Sequence, residues 1–131
     1  MNEGWYRTKI SGDGTTIAVA GNSFANNGPG TGVYVTTNRG VSWTKPVTLV
    51  ADYTGLSMSD NGQVMGVTLS TTGAVSGRAL ISSDTRATFR DVTPAANANW
   101  RSIAISGNGQ RAVAATGLFA PSTNGRLYTS P

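Results

Sequence analysis

The sequence predicts an all-β chain built from four-stranded antiparallel units laid end to end. Three observations lead there. Charged residues make up only 12% of the 131 positions and Gly alone supplies 17, so the polar surface falls to Ser, Thr, Asn and Gly. That mix competes with helical backbone hydrogen bonding and favours tight turns. A block consisting of an aromatic residue, a short alternating strand and an Asp-Gly or Asn-Gly pair then occurs three times. The glycines that close those pairs, Gly14, Gly62 and Gly109, stand 48 and 47 residues apart, a period typical of stacked supersecondary units.

The elements follow in order. The three blocks run Trp5 to Gly14, Tyr53 to Gly62 and Trp100 to Gly109. Each gives a first strand ending in a hairpin. Asn, Asp and Gly tolerate positive φ, so the pair predicts a two-residue turn of the primed type. Second strands are expected over Thr16–Ala20, Val64–Leu69 and Arg111–Ala115. After a longer loop come third strands over Gly32–Thr36, Arg78–Ser82 and Arg126–Ser130. Fourth strands fit Ser42–Val47 and Thr88–Thr93. Four antiparallel strands in about 47 residues make one β-propeller blade. The boundaries fall at about 4–52 and 53–99 for two complete blades. A third, about 100–131, lacks its last strand, because Thr129-Ser130-Pro131 reaches only the turn that should precede it. Trp5, Tyr53 and Trp100 share one repeat position and are expected to fill the core between blades.

The turn between third and fourth strands carries a resemblance. It reads Thr36-Thr37-Asn38-Arg39-Gly40-Val41-Ser42-Trp43 in the first repeat and Ser82-Ser83-Asp84-Thr85-Arg86-Ala87-Thr88-Phe89 in the second. Both resemble the Asp box, Ser-x-Asp-x-Gly-x-Thr-Trp, of sialidase-type (BNR) propeller repeats. The first copy keeps Gly40 and Trp43 but has Thr36, Asn38 and Ser42 at the Ser, Asp and Thr positions. The second keeps Ser82, Asp84 and Thr88 but has Arg86 and Phe89 at the Gly and Trp positions. In that family the box is a structural turn lying away from the active site. The resemblance therefore implies that Asn38 and Asp84 bind their own backbone as in an Asx-turn, and that Trp43 and Phe89 anchor the turn.

Composition excludes several chemistries. With no Cys and no His, disulfides, thiolate or imidazole metal sites and a Ser–His–Asp triad are ruled out. No cofactor or metal is implied, and the Asp-Gly turns lack the spaced oxygen ligands of a calcium loop. The net charge of +4 rests on 10 basic residues scattered singly, whereas a nucleic-acid footprint needs clustering. No apolar run approaches the 18 residues of a membrane span. Met1-Asn2-Glu3-Gly4 offers neither the basic nor the apolar region of a signal peptide. The carboxylates are Glu3, Asp13, Asp52, Asp60, Asp84 and Asp91, most of them in or beside turns. Neither a facing pair nor the arginine cluster and Tyr–Glu pair of a sialidase maps onto the chain.

Three blades do not make a ring, since propellers have four to eight. The arc is expected to close with copies of itself or with other propeller-blade chains. This favours a non-enzymatic, oligomeric structural or adhesive scaffold, outside the cell or on a particle surface. The alternative is a carbohydrate-binding lectin. Its ligand site would lie on the face bearing the long loops, since rigid scaffolds carry function on such loops. Phe24, Asn26, Asn27, Phe119 and Asn124 are the candidate glycan contacts, the aromatics for stacking and the amides for hydroxyls. A fragment of a sialidase-like hydrolase is the third reading.

Overall fold

The computed structural model describes residues 4–21, 31–70, 76–84, 88–94, 98–117 and 125–130. Its elements are eleven strands: β1 (Trp5–Ile10), β2 (Ile17–Gly21), β3 (Gly32–Thr36), β4 (Thr44–Val47), β5 (Tyr53–Met58), β6 (Met65–Leu69), β7 (Arg78–Ser82), β8 (Arg90–Asp91), β9 (Trp100–Ile105), β10 (Ala112–Thr116) and β11 (Leu127–Thr129). They form three antiparallel sheets in simple chain order, β1-β2-β3-β4, β5-β6-β7-β8 and β9-β10-β11. Third strands β3 and β7 have the expected bounds. The fourth strands are shorter than expected, and Pro46 fits β4 because an edge strand tolerates a missing N–H.

One hairpin turn is built three times, and it is not the expected primed type. In the first sheet the Ser11 hydroxyl donates to Asp13 Oδ1 (2.6 Å) and accepts the Thr16 N–H (3.0 Å). Asp13 Oδ1 also accepts the Thr15 N–H at 3.0 Å, while Gly14 N–H donates to the Ser11 carbonyl. Ser59, Asn61 and Gly62 repeat this network, as do Ser106, Asn108 and Gly109. Only the glycine takes positive φ, at 71°, 71° and 73°. The Asx residue stays in the ordinary region because its side chain spans the turn. The motif is therefore Ser-x-Asx-Gly, and the serine two residues upstream is as much a part of it as the Asx-Gly pair.

The sheets stack face to face. β1 and β2 pack on β5, and β5 and β6 pack on β9. The first seam buries Ala18, Ala20, Val33, Val35 and Val47 of one sheet against Tyr53, Leu56, Met65, Val67, Leu69 and Leu80 of the next, with Phe89 half-buried beside them. The second seam is smaller: Ala79 meets Trp100, Ile103 and Ala114, with Ile81 and Tyr128 at its margin. Tyr53 and Trp100 are fully buried there, whereas Trp5, at the same repeat position, is 39% exposed. This corrects the expectation for Trp5: its face meets no other sheet among the described residues.

Candidate functional site

Each sheet carries the same irregularity near the start of its innermost strand. Pairing runs Trp5↔Gly21 then Arg7↔Ala20, Tyr53↔Leu69 then Gly55↔Thr68, and Trp100↔Thr116 then Ser102↔Ala115. Tyr6, Thr54 and Arg101 are the skipped residues. A bulge leaves its extra residue outside the ladder and re-aims its side chain. Here the three bulges point those side chains toward one polar cleft of about 180 Å³, which Arg7, Asp52, Tyr53 and Ser70 complete. The guanidinium of Arg7 crosses the first seam to the Thr54 carbonyl (3.0 Å) and lies 4.3 Å from the centre of the Tyr6 ring. The Thr54 hydroxyl crosses the second seam to the Trp100 carbonyl at 2.7 Å. Burial raises the pKa of the Tyr53 phenol, and its OH donates to the Leu49 carbonyl (2.9 Å).

This cleft lies at the end of the sheets from which the long loops leave, beyond β2, β6 and β10. The candidate contacts Phe24, Asn26, Asn27, Phe119 and Asn124 lie outside the described residues. Sequence reading missed Tyr6, Arg7, Asp52, Thr54, Ser70 and Arg101. The one available signal was the recurring position one residue after each repeat aromatic, and its residue type differs in all three copies.

A second cleft, of about 360 Å³ and almost wholly apolar, opens on the uncovered face of the first sheet between Trp5, Thr8, Val19, Tyr34 and Trp43. Trp5 and Tyr34 meet edge to face at 5.3 Å, and Lys45 Nζ sits 5.0 Å from the Tyr34 ring centre. A third groove, of about 380 Å³, runs along the second seam. Trp100 lines it, and the buried Trp100 Nε1 has no hydrogen-bond partner among the described residues.

The two turns that resemble Asp boxes are self-contained. The Thr36 hydroxyl donates to Asn38 Oδ1 (2.7 Å) and accepts the Gly40 N–H (3.0 Å). Asn38 in turn accepts the Ser42 N–H at 2.9 Å and donates to the Ser42 hydroxyl at 2.8 Å. Trp43 Nε1 closes the turn on the Gly40 carbonyl (3.2 Å), with Gly40 at φ 88°. Asp84 accepts the Ser82 hydroxyl (2.8 Å), the Thr88 N–H (3.1 Å) and the Thr88 hydroxyl (2.8 Å). These side chains are engaged in holding their own loops. Asp13, engaged the same way by Ser11 and Thr15, has its carboxyl lowered to about 2 by those hydrogen bonds. Asp91 pairs with Arg78 (3.3 Å) and also accepts the Thr93 hydroxyl. Among the described residues no group of Asp or Glu side chains is placed to hold a metal ion, and no helix is long and apolar enough to cross a membrane.

This three-sheet arc resembles part of several solved structures. A GH74 xyloglucanase from Xanthomonas campestris matches 97% of the chain with a TM-score of 0.67 at 14% identity. A GH74 enzyme from Niastella koreensis matches 95% with a TM-score of 0.65 at 17% identity. An ancestral GH74 enzyme matches 96% with a TM-score of 0.60 at 16% identity. The chain spans about a fifth of the length of each (20%, 21% and 19%). At such identities the likeness is one of fold alone: three sheets of a β-propeller, not closed into a ring. No protein-family model and no curated protein matches the chain.

Proposed function

We propose that the chain is a non-catalytic propeller module that works as an assembling structural or adhesive scaffold, outside the cell or on a particle surface. One observation carries this reading. The positions buried in the two internal seams recur, uncovered and apolar, on the outer faces of the first and third blades. Trp5, Ile10 and Trp43 are exposed on one, Val113 and Leu127 on the other. Apolar blade faces of this kind favour association by removing their area from water, at about 25 cal/mol per Å². Light scattering coupled to size exclusion tests the reading. A discrete species of two or three 13.5 kDa chains is expected. A well-folded monomer at every concentration would count against it.

Carbohydrate binding is the second reading. The aromatic cleft of Trp5, Tyr34 and Trp43 and the likeness to a xyloglucanase favour it, because aromatic faces suit sugar rings. A glycan array that includes xyloglucan oligosaccharides tests it. Loss of binding in Phe24→Ala and Phe119→Ala would assign the contact to the long loops. Loss in Trp43→Ala instead would assign it to the cleft. Hydrolysis needs two carboxylates across one site, and Asp13, Asp84 and Asp91 are each engaged in their own turn or ion pair. No release of reducing ends from xyloglucan and no cleavage of a fluorogenic sialoside are expected.

A further inference from the structure

The three Ser-x-Asx-Gly turns are hydrogen-bonded to one another in a directional ladder. Gly12 N–H donates to the Asp60 carbonyl of the second blade (2.7 Å), and Asp60 N–H donates to the Gly107 carbonyl of the third (2.8 Å). The ladder leaves one acceptor at its start, the Gly12 carbonyl, and one donor at its end, the Gly107 N–H. Both residues are exposed, and neither group has a partner among the described residues. An unpaired donor and an unpaired acceptor at opposite ends of a repeating ladder match each other, and neither matches itself.

The side chains at the two ends depart from the internal pattern in a matching way. At each internal seam a turn glycine packs on the residue just before the previous blade's second strand: Gly62 on Thr16, and Gly109 on Val64. Among the described residues Gly14 has no such neighbour. The third blade's residue at the Thr16 and Val64 position is Arg111, and the first blade's turn carries Asp13 where the other two carry Asn61 and Asn108. At these two positions the internal seams carry Thr16 with Asn61 and Val64 with Asn108, all uncharged, whereas the two outer ends carry the opposite charges Arg111 and Asp13.

We infer that the outer face of the third blade docks on the first blade of a second copy of this chain, head to tail, with Gly107 N–H donating to Gly12 of that copy and Arg111 beside its Asp13. The inference rests on the scaffold reading and adds the seam, its direction and its contacts. A head-to-tail contact is heterologous, so it closes a ring when the rotation per copy allows. Two copies supply six blades, within the propeller range. In the same seam Val113 and Leu127 of one copy cover Trp5 and Trp43 of the next.

The chain has no cysteine, so introduced thiols report direction directly. A Cβ built on Gly12 lies 3.9 Å from the Asp60 Cβ, inside the spacing that a disulfide spans. Gly12→Cys with Asp60→Cys in one chain should therefore close an internal bond and serves as the geometric control. Mixing Gly12→Cys chains with Gly107→Cys chains under mild oxidation should give a cross-linked pair joining position 12 to position 107, mapped by mass spectrometry. Arg111→Glu, at an exposed position, should fold normally and lower the yield of that link at least tenfold. Links of 12 to 12 or 107 to 107, or no link while the control closes, would overturn the inference. Should light scattering still show a multimer in that case, the scaffold reading stands and only this seam falls. A monomer with no link removes both.

Discussion

Tyr53 and Trp5 occupy the same place in consecutive blades, and their surroundings differ completely. Around Tyr53 lie Leu56, Met65, Val67, Leu69 and Leu80, closed over by Ala18, Ala20, Val33 and Val35 of the first blade. Around Trp5 the matching residues are Thr8, Ile17, Val19 and Tyr34, and nothing described covers them. Both faces carry a pair of aromatics, Tyr53 and Phe89 on the covered one and Trp5 and Trp43 on the other. Where the covered face has Leu80 the uncovered one has Tyr34, and it keeps a cleft between Trp5, Tyr34 and Trp43. The repeat thus supplies one template for a blade face, and the presence of a neighbouring blade determines whether that template forms core or docking surface.

The largest test of the comparison sets Trp100→Ala against Trp5→Ala. Trp100 is fully buried and its ring lies 5.1 Å from that of Tyr128, tilted by 48°, so its truncation should cost about 3–5 kcal/mol in urea unfolding. The same change at Trp5 should cost about 1 kcal/mol or less in the isolated chain. If the two costs converge at concentrations where the chain assembles, Trp5 has acquired a neighbour. Equal costs in the monomer would mean that the uncovered face is not uncovered.

A middle-sized test uses the turn glycines. Gly14 and Gly62 share φ 71°, so Ala strains both backbones by about 1–2 kcal/mol. At Gly62 the added Cβ also falls 2.8 Å from Thr16 Cβ, whereas at Gly14 its nearest neighbour is Ile10 at 3.9 Å. Thermal unfolding should show Gly62→Ala as the worse variant by about 1 kcal/mol or more. Gly40→Val, at φ 88°, should lower Tm through backbone strain alone.

The smallest effect concerns protons. The Asp13 carboxyl drops from its ordinary 3.8 to about 2, so its ionised form favours the folded state. That contribution is present above about pH 4 and is lost as the pH falls through 2. Asp13→Asn, the residue type already used at Asn61 and Asn108, should flatten the Tm–pH curve over that window. An unchanged slope would mean that Asp13 is not held by Ser11 and Thr15 in solution.

Much of the fold was legible because it is local. Alternation and turn glycines placed β3 and β7 to the residue, and the 48- and 47-residue spacing placed the sheets. The turn chemistry was legible only in part. The Asx-Gly pair announced a hairpin, but the dependence on Ser11, Ser59 and Ser106 became visible only from the hydrogen bonds. The polar cleft was not legible at all. A β-bulge is a feature of pairing between strands, and Tyr6, Thr54 and Arg101 share no chemistry that would mark it in a single strand.

What the sequence determined by itself was the repeat, the order of strands and the positions of the turns, because periodicity, Cβ sterics and short-range hydrogen bonds act within a few residues. Only the tertiary structure decided which aromatic of an equivalent set is core. It also decided that the bulges converge on one cleft and that the turns join in a ladder which, among the described residues, leaves one donor and one acceptor at its ends. Those outcomes depend on which sheet lies against which, and a residue's own neighbours in the chain carry no record of that.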